Sequence, residues 1–275
     1  MSSPEAPLPE EPAPPPRPSF LRRHRVLLVV TLALALLASS LAYLVASLPE
    51  VALLSKKKPG LTSLMQQREA EARAAGEKPR RVQTWAPLDS ISDKLVQAVL
   101  LGEDANFFGH QGFDLYEIRE SVEKNLERGR FARGASTITQ QLAKNLFLSS
   151  EKTLTRKLRE AVLTYRLERD LSKRRILELY LNVIEWGDGI YGAEAAAQSY
   201  FGKSCSEVDV AEAALLAAMI PNPRRLTQDR LKKQLKLRQE RILNWMWKTG
   251  RISDEEYQEA LARPLEIATS DLRSS

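Results

Sequence analysis

Side chains that can carry out a group transfer are concentrated between Glu103 and Glu160. A segment rich in glycine, serine and threonine, Gly134–Thr137, lies between the two glutamates. The cations of the stretch are Lys144, Arg156 and Lys157. A carboxylate can accept a proton at one end of such a site, while fixed cations stabilise an anion at the other end. The pattern therefore indicates an enzyme that removes a proton and holds an anionic leaving group.

Amphipathic helices are expected to position these residues. Apolar residues at helical spacing predict helices over Leu88–Glu103, Leu115–Leu126, Leu154–Leu171, Ser172–Ile184, Val208–Ile220 and Gln228–Lys248. Ser90 with Asp93 and Ser253 with Glu256 match capping pairs, and Ser136 is expected to cap a helix through Phe147. No run of alternating apolar residues marks a strand, so the predicted fold class is mainly α.

The N-terminal region predicts a membrane anchor. Residues 1–25 are rich in proline and are expected to form a disordered cytoplasmic tail. Residues 26–48 carry no charge and exceed the roughly 20 residues that a transmembrane helix needs. A cleaved signal peptide is the alternative, although its apolar region usually has about 7–15 residues. Arginines before the span favour a cytoplasmic N-terminus, and Lys56–Lys58 weaken that preference without reversing it.

Two further segments follow the span: a membrane-proximal segment at 49–87 and a catalytic domain at 88–275. The net charge of +6 is spread along the chain, and no zinc-ligand set or RNA-recognition signature accompanies it, so nucleic acid is not an expected partner. Cys205 is the only cysteine, which excludes an internal disulfide.

Several short motifs have simpler interpretations. The G-x-G-x-x-G at Gly187–Gly192 lacks the βαβ context of a dinucleotide site and is interpreted as a turn between helices. Lys248-Thr249-Gly250, with S-x-x-K matches at Ser149–Lys152 and Ser55–Lys58, could suggest a penicillin-binding acyl-transfer site. The K-T-G ends a predicted helix instead of lying on a strand, and the third element, S-x-N, is missing, so this activity is not expected. Considered without the other motifs, Arg156, Lys157 and Glu160 would be interpreted as a salt-bridged helix face.

The order of five sequence blocks resembles the peptidoglycan glycosyltransferases (glycosyltransferase family 51), in their monofunctional, membrane-anchored biosynthetic form. The blocks are E-D-x-x-F-x-x-H-x-G at Glu103–Gly112, G-A-S-T-I-x-Q-Q at Gly134–Gln141, R-K-x-x-E at Arg156–Glu160, I-L-E-x-Y-L-N with the glycine turn at Ile176–Gly192, and A-A-L-L-A-A with P-x-P at Ala213–Pro223. Ala135 stands where bifunctional relatives commonly have glycine. The chain ends at Ser275, which on this resemblance leaves no room for a transpeptidase domain.

The resemblance implies a lysozyme-like α-helical domain that polymerises lipid II into β-1,4-linked glycan strands. Transfer from an undecaprenyl pyrophosphate donor would invert the anomeric carbon. It further implies that Glu103 is the base, and that Glu160 acts near the leaving group as an acid or as an organiser of the cations. Burial beside Phe107 and Phe108 is expected to raise the pKa of Glu103.

The resemblance also assigns the remaining site residues. Those expected to bind substrate or pyrophosphate are Lys144, Arg156, Lys157, Ser136, Thr137, Gln140, Gln141 and Asn145, with backbone N–H groups of Gly134–Thr137 as further anion donors. The other motif residues are Asp104, Phe107, His110, Gly112, Glu178 and Asn182. No organic cofactor is expected; Asp104 is a candidate ligand for a divalent cation, Mg or Mn.

The expected partners are lipid II, the growing glycan strand, the membrane, and cell-wall synthesis or divisome proteins. The expected location is the bacterial inner membrane, with the catalytic domain outside the cytoplasm and Phe107, Phe108 and Phe113 near the headgroups. Sensitivity to the donor-mimicking phosphoglycolipid moenomycin also follows from the resemblance. A glycan-cleaving enzyme of lysozyme or lytic-transglycosylase type and a non-catalytic membrane scaffold are the competing hypotheses.

Overall fold

A computed structural model describes residues 20–128, 136–151, 153–224 and 229–264. The chain divides into two units, Met1–Ser47 and Leu48–Ser275. The first contains helix α1 (Phe20–Ala46), whose segment His24–Ala46 is long and apolar enough to cross a membrane. Its apolar side chains are exposed, as in a helix whose partner is lipid. This finding is consistent with a single-pass anchor.

Helices dominate the second unit as well. They are α2 (Ser63–Ala74), α3 (Asp93–Glu103), α4 (Leu115–Arg128), α5 (Ile138–Phe147), α6 (Leu154–Asp170), α7 (Lys173–Val183), α8 (Ala193–Phe201), α9 (Val210–Met219), α10 (Asp229–Lys248) and α11 (Asp254–Ala262). The mainly α prediction, with one N-terminal apolar helix, is confirmed.

Side-chain caps explain where several helices begin. The hydroxyl groups of Ser172 and Ser253 accept hydrogen bonds from the third residue of α7 and α11, as the sequence indicated for Ser253. Two predicted caps were wrong by one or two positions. Thr137 rather than Ser136 caps α5, because its side chain and that of Gln140 bond reciprocally to each other's backbone N–H. Ser92 rather than Ser90 precedes α3, since Leu88–Ser90 forms a 3₁₀ turn.

A small sheet was missed by the sequence prediction. It contains β1 (Val82–Gln83), β2 (Glu185–Gly187) and β3 (Ile190–Tyr191), in the order β1-β3-β2. β1 pairs parallel to β3, and β2 pairs antiparallel to it. Strands of two or three residues are too short to show alternation, and β2 and β3 are buried at every position.

The core of the second unit is built around α9, whose buried residues pack between α3 and α10. α5 packs in turn against α2, α6 and α7. The C-terminal end of α3 is thereby brought beside both α5 and α10, although α10 follows α3 by more than a hundred residues. This arrangement positions the site described below.

Residues of the expected membrane-proximal segment belong to the same compact unit as the helices that follow. α2 lies against α5, and Arg68 Nε donates to Glu185 Oε2 at 2.9 Å. Earlier in the segment, before α2, the carbonyl oxygens of Leu54 and Lys57 accept hydrogen bonds from Arg175 of α7, each at 2.8 Å.

Candidate active site

Glu103 is the last residue of α3, and its side chain is only 9% exposed. Gln141 Nε2 donates to Oε2 at 2.9 Å, and Arg238 Nη2 donates to Oε1 at 2.8 Å. Burial raises the pKa of Glu103, while Gln141 and Arg238 act in the opposite direction. A carboxylate with a raised pKa is a stronger base than an ordinary surface glutamate, so this side chain suits proton abstraction.

The amide of Gln141 is itself held in place. The buried hydroxyl of Tyr180 donates to Gln141 Oε1 at 3.0 Å. Burial raises the pKa of Tyr180 well above its ordinary value, which keeps the phenol protonated as a donor. Because Oε1 of Gln141 accepts from Tyr180, its Nε2 is directed towards Glu103. The chain Tyr180–Gln141–Glu103 therefore fixes the orientation of the carboxylate.

Glu103 lines a cavity of about 560 Å³, named here the Glu103 cavity. Its other polar walls come from the loop after α3, the start of α4 and Ser136, and aromatic walls come from Tyr116 and Trp245. A polar substrate group entering this cavity can therefore reach the carboxylate.

Two of the three expected cations, Lys144 and Arg156, lie at a second cavity of about 400 Å³, named here the Lys144 cavity, whereas Lys157 does not line it. Lys144 and Arg156 line it, together with Gln141 and Asn145. Gln141 thus lines the Lys144 cavity while contacting Glu103 of the neighbouring one. Lys144 follows Gln141 by three residues and shares its face of α5, which explains why the two belong to one site.

Glu160 organises two of the cations. Its side chain is buried and accepts from Arg156 Nη1 at 2.6 Å and from Lys157 Nζ. The spacings of three and four residues along α6 place all three groups on one helix face. Since Glu160 is engaged by both cations, its position matches the organiser role better than that of a free acid.

The charges of this cluster also change the pKa of Lys144. Partial desolvation in the cavity lowers the pKa of its ammonium group, although part of the side chain still contacts solvent. The charges of Arg156 and Lys157 lower the pKa further, and that of Glu160 raises it. Crowded cations of this kind are stabilised when an anion binds among them.

Asp104 and His110 connect the first motif to α5. His110 Nδ1 accepts from the backbone N–H of Gly112 at 3.1 Å, so Nε2 carries the proton and donates to Asp104 Oδ1 at 2.9 Å. Asp104 Oδ2 accepts from the backbone N–H of Ile138 at 2.9 Å. Thr137 Oγ1 in turn donates to the carbonyl oxygen of Gly112 at 2.7 Å. These contacts fix the loop after Glu103 against the start of α5.

The hydrogen bonds of Asp104 leave no free carboxylate oxygen for a metal ion. Both carboxylate oxygens already accept protein hydrogen bonds, and the side chain is 4% exposed. Within the part of the chain that the structure describes, no three His, Cys, Asp or Glu side chains come together as a ligand set. These residues do not fit a divalent cation at Asp104.

The start of α5 offers fewer anion donors than expected. The N–H groups of Thr137, Ile138 and Gln140 donate to Gln140 Oε1, Asp104 Oδ2 and Thr137 Oγ1. Gly134 and Ala135, which the sequence also assigned to this role, lie outside the described residues. Of the expected N–H donors at Gly134–Thr137, that of Thr137 is therefore already engaged inside the protein, as are the two N–H groups of Ile138 and Gln140 just beyond that range.

Other motif residues lie away from both cavities. Asn182 is buried and bonds to the backbone N–H and C=O of Ala86, each at 2.8 Å. Glu178 accepts from Arg175 at 2.5 Å. Phe107 is a core residue, 1% exposed, which contradicts its expected contact with lipid headgroups; Phe108 is exposed. The buried side chains of Asn182 and Phe107 support the scaffold, and none of these four residues lines either cavity.

Sequence reasoning missed Arg238 and Tyr180 as neighbours of Glu103 and Gln141. Arg238 lies in a helix interpreted only as long and basic, and Tyr180 lies within an apolar helix face. Glu185, which lines the Lys144 cavity, was also missed. Tyr180 is the tyrosine of the I-L-E-x-Y-L-N block, which was the available signal for it, whereas the local spacing of Arg238 and Glu185 does not distinguish them from other charged positions.

The site combines a buried base with a neighbouring cation cluster on a helical scaffold. Sites of this class can activate a hydroxyl group and accept an anionic leaving group. Comparison with known proteins agrees with this class. The family model described as "Transglycosylase" matches residues 69–247, more than half of the chain. The chain therefore belongs to the transglycosylase family.

Individual relatives carry related names. A biosynthetic peptidoglycan transglycosylase of Methylobacillus flagellatus is 59% identical over 140 residues, which cover 51% of this chain and 61% of that protein. One of Chromobacterium violaceum is 47% identical over 190 residues, covering 69% and 83%. The crystal structure of penicillin-binding protein 1A from Haemophilus influenzae is 22% identical, with a TM-score of 0.39 over 69% of this chain and 19% of that one.

Proposed function

We propose that this protein is a peptidoglycan glycosyltransferase that polymerises lipid II into β-1,4-linked glycan strands. The observation that carries the proposal is the placement of Glu103 and of Lys144 with Arg156 on two cavities joined by Gln141. Family membership and the names of the relatives support the same reaction.

In the proposed reaction an acceptor sugar hydroxyl enters the Glu103 cavity. Glu103 takes its proton as the oxygen attacks the anomeric carbon of the donor, and the bond from that carbon to the pyrophosphate oxygen breaks. A single displacement converts the α-linked donor into a β-linked product, so the reaction inverts that centre. The undecaprenyl pyrophosphate departs with its negative charge.

The departing pyrophosphate is expected to lie in the Lys144 cavity. Arg156 suits bidentate contact with phosphate, and Lys144 supplies a point charge. Glu160 holds Arg156 and Lys157 in place before the donor arrives, so the site does not have to reorganise as charge develops. No step depends on a metal ion.

A glycan-cleaving hydrolase is the second hypothesis. It would need a carboxylate pair and a water molecule. It would have no use for a cluster of cations beside the base. The cations around Glu160 therefore favour synthesis over cleavage.

The proposed location follows from α1. A donor with a long lipid is confined to the membrane, and an anchored enzyme meets it at a higher local concentration. We infer a single-pass protein of the inner membrane with the catalytic unit outside the cytoplasm, as the flanking arginines favour.

The decisive experiment compares wild type with Glu103→Gln on purified lipid II and on polymeric cell wall. We expect wild type to extend glycan from lipid II, with inhibition by moenomycin, and Glu103→Gln to lose about 10²- to 10⁴-fold in rate, as for removal of a general base. Glu259→Gln, at a carboxylate 76% exposed on α11, is the matched control and should retain the rate. Cleavage of cell wall without polymerisation, or a fully active Glu103→Gln, would refute the proposal.

A further inference from the structure

The Lys144 cavity contains two polar atoms that the protein leaves unsatisfied. Across the described residues, Arg156 Nε and Glu185 Oε1 are the buried side-chain atoms without a hydrogen-bond partner in the protein. Both residues line this one cavity. A buried polar atom without a partner destabilises the fold, so the pair indicates a ligand that supplies what is missing.

The two atoms require opposite chemistry from that ligand. Arg156 Nε is a donor and needs an acceptor such as a phosphate oxygen. Glu185 Oε1 is an acceptor and needs an O–H or N–H group. Inorganic phosphate or pyrophosphate alone would satisfy the first and repel the second. A pyrophosphate that carries a sugar satisfies both.

Glu185 is held rigidly enough to act as a recognition group. Its Oε2 accepts from Arg68 Nε, and Arg68 Nη1 donates to Glu71 Oε2, each at 2.9 Å. Glu71 is held in turn by Arg224 Nη1 at 3.0 Å. Burial raises the pKa of Glu185, and the charge of Arg68 opposes that effect. Arg68 therefore engages Oε2 of a residue that lines the Lys144 cavity and leaves Oε1 without a partner.

The backbone around Glu185 is fixed as well. Glu185 is the first residue of β2, and the indole Nε1 of the next residue, Trp186, donates to the carbonyl oxygen of Leu216 at 3.0 Å. The backbone N–H of Gly192 donates to the carbonyl oxygen of Ile184 at 3.0 Å. An acceptor on such a support loses little conformational entropy when it binds.

We propose that Glu185 determines specificity for the donor sugar: Oε1 accepts a hydrogen bond from a hydroxyl or acetamido N–H of the sugar attached to the pyrophosphate. This inference rests on the proposed function, since Lys144 and Arg156 must hold the pyrophosphate for the sugar to reach Glu185. The competing explanation is that Glu185 serves only to tether Arg68 and α2 to the sheet.

The test measures binding of two probes to the full-length protein in detergent micelles. One probe is a short-chain prenyl pyrophosphate, and the other is the same compound carrying N-acetylmuramic acid on the pyrophosphate. We expect Glu185→Ala to weaken binding of the sugar-bearing probe by about 10- to 100-fold, as for loss of a hydrogen bond to a charged group, and to leave the sugar-free probe unchanged. Glu185→Gln, which retains an acceptor oxygen, should recover part of the loss.

Two controls accompany these variants. Asp188→Asn changes a nearby carboxylate that also pairs with an arginine but is 65% exposed, and it should bind both probes like wild type. Lys144→Ala should weaken both probes, because both carry the pyrophosphate. Melting temperatures show whether each variant is folded.

The outcomes separate this inference from the proposed function. Equal weakening of both probes by Glu185→Ala and Glu185→Gln would establish the tethering role and overturn the inference, while polymerisation of lipid II would still support the proposed function. If Glu185→Ala does not fold, wild type and Glu185→Gln are compared with a sugar-bearing probe that lacks the acetamido group and the free hydroxyls. Unchanged wild-type affinity for that probe would also overturn the inference. If wild type binds neither original probe, the proposed donor class itself is wrong.

Discussion

Replacing Arg238 by glutamine would remove the positive charge 2.8 Å from Glu103 Oε1 while keeping a side chain able to donate a hydrogen bond. Arg238 is among the groups that lower the pKa of Glu103 against the effect of burial. Its removal therefore raises that pKa further. Glu103 must be ionised to accept a proton, so the variant should lose activity towards acid and regain it as the pH rises.

The size of the effect follows from the contact. Hydrogen bonds to charged groups contribute roughly 1.5–3 kcal/mol, and a neutral glutamine donor retains only part of this. Arg238 is 34% exposed, so solvent screens part of the interaction and the lower end of that range applies. About 1.4 kcal/mol corresponds to a tenfold change in an equilibrium constant. We expect the rate on the acid limb of the pH profile to fall about tenfold at fixed pH, with the alkaline plateau close to wild type.

The assay is polymerisation of lipid II at saturating substrate across a range of pH. Arg241→Gln, an exposed position three residues further along α10, is the matched control and should keep the wild-type profile. A loss of equal size at every pH would show that Arg238 only supports the fold. An unchanged profile would refute the electrostatic reasoning altogether.

Two further variants test other parts of the site. Lys157→Ala should raise the KM for lipid II about tenfold and lower kcat, because Lys157 contacts Glu160 within the cation cluster. Lys248→Ala, at an exposed position, is the control. An unchanged KM would show that the role of Lys157 is structural. Gly112→Ala should destabilise the fold by about 1–3 kcal/mol, because Gly112 has φ of +84° and a Cβ would lie 2.6 Å from Thr164 Cγ2. Thermal denaturation checks this prediction against Gly60→Ala, where a Cβ meets no atom within 4 Å; equal melting temperatures would contradict it.

The helices were predictable because their signals are local. Ser253 with Glu256 reads directly as a capping box, and the apolar run at Val208–Ile220 indicates a core helix. The burial of Glu103 was also expected, but from aromatic neighbours. In the structure, the side chain of Glu103 accepts hydrogen bonds from Gln141 and Arg238, which lie 38 and 135 residues away in the chain.

The sequence could not predict contacts that form only when distant segments of the chain pack together. Arg238 has the same surroundings in sequence as the other cations of a basic helix, and only the packing of α10 on α3 selects it. Tyr180 occupies an apolar face, where an aromatic residue usually means core packing. Glu185 follows a helix as an ordinary charged residue, and its role depends on a strand too short to predict.

The parallel pairing of β1 with β3 has a practical consequence for isolating the catalytic unit. Val82 and Gln83 are a structural part of the enzyme, and so is Arg68, which fixes the carboxylate of Glu185. A soluble fragment that starts at Leu88 would lack both, along with the turn at Ala52–Ser55 that Arg175 binds. Water-soluble preparations should therefore start near Leu48, directly after the apolar span.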